Sequence, residues 1–298
     1  MATSVPTSPG PLLQAPLAAE PDGLALGPAL DGPSTRACYP LHAPRRLQHG
    51  AIVGDAGSGV SNLMTLVAVQ ARAAGPMVTA HINGHQELTN PALAQRSTVL
   101  IDGASDGDVA EIALEALERA VQARVRLMDS MEAGSYPAAG LPPLLVTIAE
   151  APRVLAGNAG RWTQVADQAG TVGIGLLAAV PTLSPEAFGN SVRLRHLLTT
   201  NTIALRTSCR HTASLMAKTD VFASSGQGQC LATAPAGVGQ LLVDGRTPVR
   251  FASYWLAPSD TEAIVERARR RWLVAYPDIE LDAPTREAFT PDLARGAA

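Results

Sequence analysis

The most constraining feature of this chain is a short apolar run, Ala51-Ile52-Val53, that breaks at Gly54-Asp55-Ala56-Gly57-Ser58-Gly59 and resumes as Val60-Ser61-Asn62-Leu63. An apolar run ending in closely spaced glycines reads as a strand entering a tight loop. Apolar residues at Leu63, Leu66, Val67 and Val69 then recur at helical spacing up to the Gly75-Pro76 stop, which predicts a helix over Ser61 to Ala73. Gly54-x-x-x-x-Gly59-Val60-Ser61 has the spacing of the phosphate-binding loop G-x-x-x-x-G-K-[ST], in the strand-to-helix context which that motif requires. Such a unit implies an α/β architecture.

The rest of the chain fits that architecture. Met77 to Ile82, Thr98 to Asp102, Leu144 to Ile148, Gly173 to Val180 and Thr202 to Leu205 are further strand candidates. Apolar runs without polar alternation predict strands covered on both faces, hence a mainly parallel sheet flanked by helices. The longest helix is expected from near Ser105, whose spacing to Asp108 suits an N-cap, to about Glu132. Beyond Cys230 the pattern shortens to hairpin-like pieces at Gln229–Ala234, Val238–Val243 and Val249–Ala252, with Asp244-Gly245 as a turn. Ser259 and Glu262 predict a capped last helix through about Ala275. Residues 1–40, dense in Pro, Ala, Gly and Ser, read as a disordered tail, 45–276 as the P-loop domain, and 277–298 as a polar C-terminal tail.

Composition narrows the function. With 298 residues and 46% hydrophobic content the chain can bury a full-sized core, and a formal net charge of −3 removes the global footprint of a nucleic-acid coat. No stretch of about 18 uninterrupted apolar residues occurs and no basic residue precedes Arg36, so a cytoplasmic protein with neither membrane span nor signal peptide is expected. Cys38, Cys209 and Cys230 are an odd set without C-x-x-C spacing, which predicts reduced thiols. His81-x-x-x-His85 has metal-ligand spacing for a helix, but Asn83-Gly84 imposes a turn. Arg267, Arg269, Arg270 and Arg271, and the smaller group Arg193, Arg195 and His196, read as solvated faces or as contacts to DNA or a partner.

The chemistry concentrates at the loop. Small residues let the backbone N–H groups of Gly54, Ala56, Gly57, Ser58, Gly59, Val60, Ser61 and Asn62 converge on phosphate oxygens, and the helix N-terminus adds partial positive charge. Ser61 stands where the motif's hydroxyl binds magnesium, so ATP with Mg is the implied cofactor. Val60, however, stands where the motif has lysine, and Asp55 adds a negative charge. Losing one charge-assisted hydrogen bond costs about 1.5–3 kcal/mol, roughly ten- to hundredfold in affinity. Lys218 is the only lysine in the chain, so no neighbouring lysine in the loop can substitute, and the candidate replacement is an arginine from this or another chain. The second nucleotide motif, an apolar strand ending in Asp-Glu, corresponds to Leu144–Ile148 followed by Ala149-Glu150. The metal-holding carboxylate is replaced, and Glu150 remains as a vestigial catalytic residue.

In order and spacing these segments resemble the motor domain of the FtsK/SpoIIIE family of DNA translocases, in the form found in actinobacterial plasmid transfer. Gly54 to Leu63 looks like the family's phosphate loop with its Ser-Asn-Leu continuation, and the long helix bearing Arg124 and Met128 precedes Pro142 to Glu150, similar to its second motif. Gly170 to Val180 and Thr202-Ile203-Ala204-Leu205-Arg206-Thr207-Ser208 resemble its Ala-Thr-Gln strand and its Ile-Ala-Phe-Arg-Val-Ser run. The resemblance implies a RecA-like P-loop α/β fold over about residues 45–270, with Arg206 and Glu150 as surviving catalytic positions. Val60, Ala149, His81-Ile82-Asn83-Gly84, Ala179-Val180 and Thr212-Ala213-Ser214 depart from the family pattern at its chemistry. The expectation is a pseudo-ATPase with weak or no ATP binding. It would act in DNA or plasmid transfer, with double-stranded DNA as a partner or in an oligomer with itself or an active homologue. The alternatives are a working translocase that uses a substitute arginine, and a pure protein-interaction module.

Overall fold

The uninterrupted apolar runs become strands because each can be covered on both faces. In the computed structural model, which describes residues 23–32, 34–43, 45–74, 77–85, 97–102, 108–209, 212, 232–244, 246–256 and 281–290, the strands are β1 (Leu24–Pro28), β2 (Arg36–Tyr39), β3 (His42–Ala43), β4 (Arg46–Leu47), β5 (Gly50–Val53), β6 (Val78–Asn83), β7 (Val99–Asp102), β8 (Leu144–Ala149), β9 (Ile174–Val180), β10 (Asn201–Ala204), β11 (Val238–Val243) and β12 (Val249–Ala252). The helices are α1 (Val60–Ala74), α2 (Val109–Ser130), α3 (Ala151–Leu155), α4 (Ala159–Ala169), α5 (Val192–Leu198) and α6 (Ala283–Phe289).

Eight strands form one sheet in the order β12-β11-β10-β5-β9-β8-β6-β7. From β10 to β7 all neighbours are parallel, and β11 and β12 extend the sheet antiparallel as the hairpin pattern predicts. Alternate residues divide the core. Ala80, Ile82, Val146, Ile148 and Leu176 face a cluster that includes Leu114, Leu117, Trp162, Leu194 and Phe289. Ile52, Leu145, Leu177 and Ile203 face one that includes Leu63, Leu66, Val67 and Tyr39. Among the described residues no helix is long and apolar enough to cross a membrane.

Three sequence expectations are corrected. Residues 23–32 and 34–40 are not a disordered tail: β1 and β2 pair antiparallel, and Leu24, Leu26, Ala37 and Tyr39 are buried. Tyr254 N–H donates to Leu26 O at 2.9 Å, Leu30 N–H donates to Arg250 O at 2.8 Å, and Gln70 Nε2 donates to Ala25 O, so the hairpin covers the β12 edge and α1. The C-terminal segment is not wholly a tail either. Leu281, Ala288 and Phe289 are buried, with α6 packed on α2, so the folded unit extends beyond residue 276. Finally, the cap of α2 is Asp108, whose carboxylate accepts from Glu111 N–H at 3.4 Å, and the helix starts at Val109. Ser105, Lys218, Cys230, the predicted helix 259–275 and its arginines lie outside the described residues.

Candidate functional site

In a parallel sheet ligands gather at the carboxyl ends of the strands, where the order reverses. Here β5 leads through α1 to β6, with β9 and β8 inserted between them. Gly54 follows β5, Gly84 and His85 follow β6, Glu150 follows β8, Val180 ends β9 and Arg206 follows β10, so the predicted site residues leave the sheet at one end.

The loop wraps the N-terminus of α1, and its turns need glycine: Gly57 and Gly59 have φ of 73° and 109°. It is braced from three sides. Gly54 N–H donates to Val180 O at 3.3 Å, Asp55 N–H to Arg206 O at 2.9 Å, and Gly237 N–H to Ser58 O at 2.8 Å. Among the described residues the N–H groups of Ala56, Gly57, Gly59, Val60, Ser61 and Asn62 donate to no backbone carbonyl, which leaves the cradle its donors for an anion. No acidic residue occupies the first turn of α1. Ser61 is exposed.

Two loop residues play parts that the sequence reading did not give them. The Asn62 side chain is engaged elsewhere than in the cradle: its Nδ2 donates to Tyr254 O at 2.8 Å and its Oδ1 accepts from Leu256 N–H at 2.9 Å, clamping the segment after β12 onto α1. The Asp55 carboxylate is also engaged, accepting from Ser208 N–H at 2.7 Å. The Asn62 clamp and the Gly237 brace join residues more than 170 positions apart, and no local pattern announces them.

Glu150 lies at the end of β8 in the left-handed region, φ 49° and ψ 47°, which for a non-glycine residue costs of order 1–2 kcal/mol. Its Oε1 is 3.4 Å from His85 Nε2, with both side chains about half exposed. His81 points elsewhere. It is fully buried within β6 and shares a 2.9 Å hydrogen bond with Thr147 Oγ1, while Thr147 donates to Ala80 O. Burial holds its imidazole neutral, down at about 4. Arg193 pairs with Asp167 at 2.5 Å and Arg195 lies against Leu183 O, so both make internal contacts.

A phosphate group fits this loop by its open amides. Magnesium fits poorly: Ser61 offers a hydroxyl, but Ala149 brings no oxygen from its side chain to the end of β8. Among the described residues no cluster of three or more His, Cys, Asp or Glu could hold a metal.

No protein-family model and no curated protein matches this sequence. Solved structures do match in fold. The cytoplasmic domain of the Thermomonospora curvata type VII secretion ATPase EccC aligns over 89% of this chain and 33% of its own length, at TM-score 0.66 and 17% identity. The pCW3 conjugation coupling protein TcpA, in its monomer form with ATPγS, aligns over 85% of this chain and 72% of its own, at TM-score 0.65 and 14% identity. ATPases 2 and 3 of EssC from Geobacillus thermodenitrificans align over 94% and 54%, at TM-score 0.63 and 15% identity. This chain thus spans a third of the EccC structure and about half of the EssC structure. An eight-stranded, mostly parallel sheet, a glycine loop after β5 and this structural likeness together give the chain the RecA-like fold of the FtsK/SpoIIIE-type P-loop ATPases.

Proposed function

We propose that this chain is an FtsK/SpoIIIE-like protein of DNA or plasmid transfer that has kept the nucleotide cradle and lost hydrolysis. The observation that carries the reading is the contrast at the loop: the amides stand open at the N-terminus of α1, while Val60 and Ala149 occupy the places of the phosphate-binding lysine and the magnesium aspartate. When bound, Mg-ATP supplies a phosphoryl group whose transfer needs lysine, metal carboxylate and water-orienting residue together. Here the amides of Ala56, Gly57, Gly59, Val60, Ser61 and Asn62 bind, Ser61 offers one hydroxyl, and Val180 at the end of β9 can neither orient water nor report on a γ-phosphate. Glu150 is left with His85 as its partner.

The match to a conjugation coupling protein supports the link to plasmid transfer, and the secretion ATPases support a transfer role in general. Duplex DNA and an active homologue in a mixed ring are the partners this reading implies. The full chain is expected to hydrolyse Mg-ATP no faster than background, with or without duplex DNA. Turnover abolished by Glu150→Gln would refute the reading and select the second one, a working motor with an arginine in place of the lysine. The position of Arg206 over Gly57 is the observation that favours this second reading.

A further inference from the structure

The loop without a lysine has a cation. β10 runs parallel beside β5 with Ala204 opposite Val53, so the residues after β10 leave the sheet alongside those after β5. Leu205 N–H donates to Val53 O at 2.8 Å and continues that pairing beyond the strand. One residue later the Arg206 guanidinium lies over the loop: a β-carbon added to Gly57 would sit 3.7 Å from Arg206 Nη2. Among the described residues the Arg206 side chain has neither an ion pair nor a hydrogen bond. A second unmatched group lies inside the same loop. The Ser58 hydroxyl is fully buried against Gly54 and has no partner among the described residues.

Asp55 explains how Arg206 is held there. Its N–H donates to the Arg206 carbonyl and its carboxylate accepts from Ser208 N–H, so Asp55 ties the chain to the loop at Arg206 and at Ser208. The carboxylate that the sequence alone presents as a repulsive charge is thereby a tether.

Resting on the cradle reading above, the geometry points to Arg206 as the cation that replaces the loop lysine, with Asp55 as its positioning residue. The ligand is one whose recognised part is a chain of phosphates. A planar guanidinium can hold two phosphate oxygens at once, which an ammonium cannot do with the same geometry. Ala149 offers a metal no carboxylate, so recognition falls to the guanidinium and the amides.

Calorimetric titration of the full chain with ATP and with inorganic tripolyphosphate, both in EDTA, tests this. Both are expected to bind, and Arg206→Ala to weaken both at least tenfold, the loss of one charge-assisted contact. Arg206→Lys, which keeps the charge without the fork, is expected to fall between the two. Asp55 gives the sharper arm. Electrostatics alone makes any loss of its charge tighten an anion. The tether predicts that Asp55→Ala weakens binding by about threefold or more, while Asp55→Asn, which keeps an acceptor for Ser208 N–H, binds at least as tightly as the parent. Unchanged affinity in Arg206→Ala, tighter binding in Asp55→Ala, or no binding by the parent chain overturns the proposal. Melting curves separate a folding defect from a binding defect. Should Asp55→Ala not fold, Arg206→Ala decides, because its side chain has no partner to lose among the described residues. Absence of binding here leaves the reading of lost hydrolysis standing, and turnover dependent on Glu150 overturns that reading without touching this one.

Discussion

The phosphate loop and the Arg124 clasp are both polar constructions, and they treat their hydrogen-bond donors in opposite ways. Arg124, on α2, is fully buried. Its Nε donates to Thr285 Oγ1 at 2.9 Å, Nη1 to the carbonyls of Val172 and Gly173 at 3.1 and 3.2 Å, and Nη2 to Asp282 Oδ2 at 2.9 Å. Burial pulls the guanidinium pKa down and the Asp282 carboxylate opposes that, which leaves the group charged and matched. At the loop, among the described residues, the amides of Ala56, Gly57, Gly59, Val60, Ser61 and Asn62, the Arg206 guanidinium and the Ser58 hydroxyl are unmatched. A buried donor without a partner is costly, so native structures spend donors internally wherever stability is the purpose. The clasp is therefore fastening, whereas the loop leaves its donors to solvent or, on the reading proposed above, to a ligand.

The largest test of that contrast is Arg124→Ala, which strands the Asp282 carboxylate and two carbonyls and is expected to cost about 3–5 kcal/mol in urea denaturation. Adding Asp282→Ala should recover part of the loss; no recovery would mean that the pair is not coupled. On the opposite side of the sheet, Leu26→Ala is expected to cost about 2–5 kcal/mol, since this fully buried leucine anchors the β1–β2 hairpin on the core. A loss under about 0.5 kcal/mol would return that segment to the status of a tail.

At the loop, the double change Val60→Lys with Ala149→Asp should bind Mg-ATP about 1.5–3 kcal/mol more tightly than Val60→Lys alone, as calorimetry can measure. A separate effect, spread over pH, concerns stability. Burial lowers both His49 and His81 to about 4 from an ordinary 6.5. Between those values the unfolded chain takes up protons that the folded chain refuses. Stability is thus fully present above pH 6.5 and declines toward pH 4 by about 1.4 kcal/mol per pH unit for each histidine. His49, which donates to Ala166 O and accepts from Leu176 N–H, is the matched one, and His49→Gln should halve that slope. The smallest effect is expected at Ser58→Ala. Removing an unmatched buried hydroxyl should change stability by less than about 0.5 kcal/mol, in contrast to every member of the clasp.

Elements encoded by local pattern form where that pattern lies. The runs at 51–53, 144–148 and 174–180 are strands because unbroken apolar sequence has one economical place, between two layers. The glycines at 54, 57 and 59 form the loop because positive φ at Gly57 and Gly59 suits no other residue as cheaply. The hairpin at 24–39 was hidden because its composition is that of a linker, and its apolar residues find their partners in α1 and in residues 250–254. Arg124 carried no signal of its fate, since an arginine on a helix is ordinarily solvated and its partners lie 48 to 161 positions away.

By itself the sequence determined the strand–loop–helix unit, the parallel sheet around it and the missing lysine, because short-range periodicity and steric rules act within a dozen residues. The tertiary structure alone decided that Asp55 is a tether, that Asn62 is a clamp and that Arg206 stands over Gly57. The first and the last depend on β10 lying beside β5, a pairing made across about 150 residues by the burial of both strands, and the clamp depends on the segment after β12 returning to α1.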